Sequence, residues 1–159
     1  MISLMFMLGV LGLLFVMAYA ANRRFGVLGL ALAAGSLLST NFTGLLTPFI
    51  QQQGFVLVAP PLSLVVAAGL VLLPPMILLF SGPSYQVTWQ RLLGAVGFAV
   101  LGFAFLIDPL VGALQLDDLG VTVANFMHKY VSIIVVVGIS VAIADMLLTG
   151  KPPRKKPGH

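Results

Sequence analysis

Five apolar stretches, at about 2–20, 26–48, 56–80, 92–114 and 126–148, make up most of this chain. Each approaches or exceeds the roughly 20 residues that a helix needs to cross the hydrocarbon core of a bilayer. Sixty per cent of the 159 residues are hydrophobic and 8 % are charged, and the mean hydropathy is +1.13. A chain of this length cannot bury that much apolar surface by itself, so lipid must cover part of it. The sequence therefore predicts an all-α membrane protein, a bundle of five transmembrane helices spanning 1–150. A basic flexible tail follows at 151–159, where three prolines in KPPRKKPGH prevent a helix from continuing.

Orientation follows from the basic residues. Arg23 and Arg24 fall between spans one and two, Arg91 between three and four, and Lys151, Arg154, Lys155 and Lys156 after span five. With five spans these share one side, and Lys129 faces the other. The positive-inside rule makes the arginine side cytoplasmic, with the N-terminus outside and the C-terminus inside. Asp117 and Asp118 then belong to the outer loop between spans four and five. Ala18-Tyr19-Ala20 has the look of a signal-peptide cleavage site, but no positive residue precedes the apolar run, so the first segment reads as a span. The pI near 9.9 reflects orientation rather than nucleic-acid binding, and the tail's charge suits attraction to anionic headgroups or retention of topology.

Span two carries the clearest pattern. At 100° per residue Gly29, Ala33, Ser36, Thr40, Thr43 and Thr47 fall on one stripe, with Ser39 at its edge. Such small and hydroxylated residues let helices approach and hydrogen-bond in lipid, so the stripe is either a packing face or the lining of a polar path. In span three Pro60-Pro61 suits a helix start, whereas Pro74-Pro75 removes two ladder hydrogen bonds inside an apolar run. A kink or break is expected there, either a static bend or a hinge.

Trp89, Gln90 and Arg91 form an interfacial anchor before span four, in which Gly94, Gly97, Ala104 and Asp108 share a close-packing seam. Asp108 precedes Pro109, so the helix is expected to end or bend nearby, with the carboxylate at the interface. In span five Gly138 and Ala142 make a small-xxx-small pair with Asp145 on the same face. An ionisable group in a span is a functional candidate, although Asp145 lies about a turn from the end, where an ion pair with Lys151 competes. Asn125, His128 and Ser132 form a face at the other end of this span, where His128 or Lys129 is placed to pair with Asp117 or Asp118.

No catalytic constellation emerges. The chain has no cysteine and no glutamate, its four aspartates are scattered, and a nucleophile elbow, a phosphate-binding glycine loop and paired histidines are all missing. A lone His128 does not make a metal site. The expectation is a non-enzymatic protein with no catalytic residues, no metal and no cofactor.

Two stretches resemble the colicin V production protein (CvpA) family over about residues 1–113. Span one ends in Asn22-Arg23-Arg24-Phe25-Gly26 and is followed by Gly29; span four opens Arg91-Leu92-Leu93-Gly94 and continues to Gly97 and Gly102. The turn here reads Arg-Arg-Phe-Gly, where the family usually has glycine directly after arginine, and the fifth helix lies outside the match. The resemblance implies a bacterial inner-membrane protein linked to secretion and envelope-stress tolerance, with packing and orienting roles at these positions. The partners expected are the lipid bilayer and either further copies of the chain, forming an oligomeric conduit, or unrelated subunits of a larger membrane complex. Ion-coupled transport through Asp145 and Asp108 is the third reading.

Overall fold

The computed structural model of the chain describes residues 2–54, 57, 60–81, 85, 87–114 and 117–148. Among them run five α-helices, α1 Ile2–Ala21, α2 Phe25–Gln52, α3 Leu62–Ser81, α4 Thr88–Ala113 and α5 Asp118–Leu148. All five are long and apolar enough to cross a membrane, as the sequence predicts. The tail at 151–159, with Lys151, Arg154, Lys155 and Lys156, lies outside the described residues.

The helix ends correct several expectations, because polar residues continue a helix beyond its apolar run. α5 starts at Asp118 rather than 126, so Asp118 belongs to the first helical turn and not to a loop. Asp117 caps it: its Oδ1 accepts from the Gly120 amide at 3.1 Å, satisfying one of the amides a helix start leaves unpaired. α4 does not end at Asp108 but runs through Pro109 to Ala113, and α2 runs through Pro48 to Gln52.

Nor does α3 break at Pro74-Pro75; it is continuous through both, with Pro75 almost fully buried. The reason lies on α2. The two prolines deprive the carbonyls of Leu70 and Val71, one turn back, of their helical partners. Those are the atoms that α2 approaches with Gly35: a Cβ there would overlap the Val71 carbonyl and stand 3.0 Å from Leu70 O. A bare glycine brings the helices close enough to shield the freed carbonyls from lipid, where exposure is costly.

α4 is the central helix. It touches each of the other four and buries Ala95, Phe98, Ala99, Leu101, Phe103, Ala104, Leu106 and Ile107. α2 is the second organiser, packed against α3, α4 and α5. α5 is seated by small residues: a Cβ on Gly29 of α2 would stand 2.9 Å from the Ala142 Cβ, and one on Gly138 2.8 Å from Leu101 Cδ1 of α4. Gly102 lies against Leu14 of α1, and Gly97 against the Phe25 ring. α5 is peripheral and presents Ile133, Val136, Val137 and Val141 outward, where lipid would meet them. The α1–α2 turn, Tyr85 and the last turns of α5 gather at one end of the bundle, which carries Arg23, Arg24 and Arg91. At the opposite end the Ser3 hydroxyl of α1 donates to Asp117.

Candidate functional site

The basic end is a closed polar lock. Asn22 takes a left-handed conformation, φ +53°, which asparagine tolerates better than most residues, and so reverses the chain between α1 and α2. Its carbonyl accepts from the Tyr85 amide at 3.3 Å, and its Nδ2 donates to Tyr85 O at 3.3 Å. The Tyr85 ring fills the space left by Gly94, where a Cβ would stand 2.7 Å from the ring edge. Its hydroxyl then accepts from the Phe25 amide at 2.9 Å and stands 3.1 Å from Asp145 Oδ2, to which it donates. The same carboxylate oxygen accepts from the Gly26 amide at 2.9 Å. Asp145 and Tyr85 together thus satisfy the first amides of α2, and a negative group is favourable at a helix N-terminus.

The arginines complete this lock. Arg23 donates from Nε to Leu79 O at 3.0 Å and from Nη2 to Phe80 O at 2.9 Å, capping the end of α3. Arg91 donates to Tyr19 O at 2.7 Å and lies 4.1 Å above the Tyr19 ring, capping α1. Cations at helix C-termini are favourable for the same reason that anions are at N-termini. Burial raises the Tyr85 hydroxyl pKa to about 12; the Phe25 amide and the Arg24 charge act in the opposite sense, and the Asp145 charge in the same. These groups hold helices together and leave little to react.

The sequence singled out Arg23, Arg24, Gly26, Arg91, Gly94 and Asp145 separately; the structure brings them together. Asp145 engages α2 and Tyr85, and Lys151 lies outside the described residues. Tyr85 was missed. Its only signal is a lone tyrosine in a short Gly-Pro connection, and its partners are 60 residues away.

A second polar feature opens toward the opposite end. α3 and α5 both flank α2 and α4 without touching each other, leaving a crevice of about 490 Å³. Its polar lining is Ser36, Ser39 and Thr40 of α2, Asp108 of α4 and Ser132 of α5. Leu64, Val71, Phe105, Val131 and Val135 supply apolar walls. Phe25 of α2 stands against Gly97 of α4, and Ser36 and Asp108 each lie eleven residues further along their helices, about 16 Å at 1.5 Å per residue. Ser36 and Asp108 thus line the crevice at about the same distance from the basic end. Below it Leu28, Leu32, Phe98 and Leu101 are buried in a dry core.

At its mouth the Asp108 side chain is 80 % exposed, with His128 Nδ1 3.6 Å from Oδ1; His128 therefore meets Asp108 rather than a partner in the α4–α5 connection. Of the predicted stripe, Ser36 and Thr40 reach the crevice, whereas Gly29 packs on Ala142. Thr43 and Thr47 donate to Ser39 O and Thr43 O, both at 2.7 Å. Among the described residues no three metal-ligating side chains come together. No protein-family model, curated protein or solved structure matches this chain.

Proposed function

We propose that this chain is a non-enzymatic protein of the bacterial inner membrane and a protomer of an oligomeric conduit for small polar solutes. In this reading the C-terminus and the arginine end are cytoplasmic, and the crevice is the outward half of the path. The crevice itself carries the reading: an ionisable carboxylate beside a cavity in an apolar bundle is a functional candidate, and it shares that cavity with hydroxyls of α2 and α5. The dry core beneath it means that one copy offers no through path, so passage needs movement of α3 or α5, or a neighbouring copy. The arginine and glycine motifs of residues 22–29 and 91–102 are what connect the chain to CvpA-like proteins in secretion and stress tolerance. The test is efflux of trapped potassium and methylammonium from liposomes containing the purified protein, with its mass measured in mild detergent. Efflux above that of protein-free liposomes, abolished by Ala67→Trp in the crevice wall, and a multimeric mass are expected. Blank-level efflux from a monomer overturns the proposal.

A second reading, an accessory subunit of a larger membrane complex, draws support from a groove between α1 and α3. It measures about 400 Å³ and is lined by apolar side chains such as Phe6, Leu13, Leu64, Met76 and Leu110, a surface suited to a foreign helix. Gentle purification decides: a stoichiometric foreign chain supports it, and a homogeneous single species removes it.

A further inference from the structure

We infer that the crevice between α2, α3, α4 and α5 is a binding site for a protonated amine carrying an apolar body. The inference names the solute class for the conduit proposed above, but binding itself does not depend on transport. It rests on which lone pairs and which protons the lining has left to offer.

The hydroxyl protons of α2 are already spent. Ser36 donates to Ala33 O at 2.8 Å and Thr40 to Ser36 O at 2.9 Å. Thr43 gives its proton to Ser39 O, so in the 3.5 Å contact between the Ser39 and Thr43 hydroxyls Ser39 is the donor. What these three side chains present to the crevice is oxygen lone pairs. Asp108 adds a carboxylate, which when ionised only accepts; His128 Nδ1 stands 3.6 Å from Oδ1, and Oδ2 has no hydrogen-bond partner among the described residues. Pro109 has no amide hydrogen for the Phe105 carbonyl one turn back, and both residues line the same space. Ser132 of α5 keeps a hydroxyl proton to give; the rest of the lining is acceptors with a carboxylate at the mouth, which selects a cation that donates hydrogen bonds. An anion would meet lone pairs with little to bind it.

Size and the remaining walls decide between a bare ion and an organic cation. A volume of about 490 Å³ falls in the range typical of small-molecule sites and far exceeds what a single metal ion fills. Leu64, Ala67 and Val71 of α3 form an apolar flank on one side, and Val131 and Val135 of α5 one on the other. An ammonium group set among Ser36, Thr40 and Asp108, with its hydrocarbon against these flanks, matches both halves. Quaternary ammonium ions fit less well, since they have no N–H to give.

The test is equilibrium dialysis of the full chain in lipid nanodiscs, with protein-free nanodiscs subtracting partition into lipid. The probes are labelled phenethylammonium, its neutral isostere 2-phenylethanol and the anion phenylacetate. Saturable binding of phenethylammonium alone is expected, weakened about tenfold or more by Asp108→Asn, the scale of a lost charge-assisted bond. Thr40→Val, which keeps the shape and removes the acceptor, should weaken it about threefold or more. Equal binding of 2-phenylethanol, or unchanged affinity in Asp108→Asn, overturns the inference. Should Asp108→Asn fail to fold, the comparison of ammonium with alcohol on the unaltered chain still decides. Saturable amine binding without efflux upholds the site and removes the conduit; efflux of potassium without amine binding does the reverse.

Discussion

Replacing Gly35 by alanine should destabilise the bundle, whereas replacing Gly44, on the same helix, should not. At Gly35 the new Cβ would overlap the Val71 carbonyl and stand 2.8 Å from Val71 C and 3.0 Å from Leu70 O. All three are backbone atoms of a proline-stiffened helix, so none can rotate away, and α2 and α3 must separate. A gap of 0.5–1 Å forfeits roughly a quarter to a half of the dispersion well for each pair across it, and overpacking of this kind costs about 1–3 kcal/mol. Separation also uncovers the Leu70 and Val71 carbonyls, at a further cost of about 1 kcal/mol. Alanine's helix propensity returns about 1 kcal/mol at either position. The net expectation is a loss of about 2 kcal/mol for Gly35→Ala. At Gly44 a Cβ meets nothing within 4 Å, so Gly44→Ala should leave stability unchanged or raise it by up to about 1 kcal/mol. Unfolding by titration of a mild micelle with a denaturing detergent, followed by far-ultraviolet circular dichroism, measures the difference. Two variants within about 0.5 kcal/mol of each other, the spread of ordinary surface substitutions, would refute the claim that glycine at 35 shields the freed carbonyls.

Tyr85→Phe keeps the ring against Gly94 but removes the hydroxyl that the Phe25 amide and Asp145 share, at an expected cost of about 1–3 kcal/mol in the same assay. The same hydroxyl makes stability pH-dependent: with its folded pKa raised to about 12, its contribution is full below the unfolded value near 10. It is lost as the pH rises from there through 12, by up to about 3 kcal/mol. Alkaline unfolding curves should show this loss in the parent and not in Tyr85→Phe. The chain has no cysteine, so single replacements report orientation: Asp118→Cys should react with an impermeant maleimide in intact cells, and Lys155→Cys only after permeabilisation. The reverse pattern would overturn the orientation.

Hydrocarbon as a solvent makes much of this protein legible from its sequence. A bilayer demands long uninterrupted apolar runs, so the number, order and helical nature of five helices long and apolar enough to cross one follow from composition and length alone. Residue types at the close contacts were legible for a related reason: without a hydrophobic force between helices, small residues mark where they meet. Gly29, Gly138 and Ala142 do sit at such contacts.

Which neighbour each residue meets was not legible, because helical periodicity fixes a face but not its partner. The stripe of span two divides in the fold: Gly29 turns to Ala142 while Ser36 and Thr40 reach a crevice whose other walls come from three different helices. The proline pair of α3 was expected to kink or break its helix, and only the placement of Gly35 beside Leu70 and Val71 shows how the freed carbonyls are covered. Asp145 acquires a role only where the last turns of α5 reach the first amides of α2, and Tyr85 only where its ring stands over Gly94. Composition specifies the medium and the helices; the chemistry of each polar group depends on partners that only tertiary packing brings within hydrogen-bonding distance.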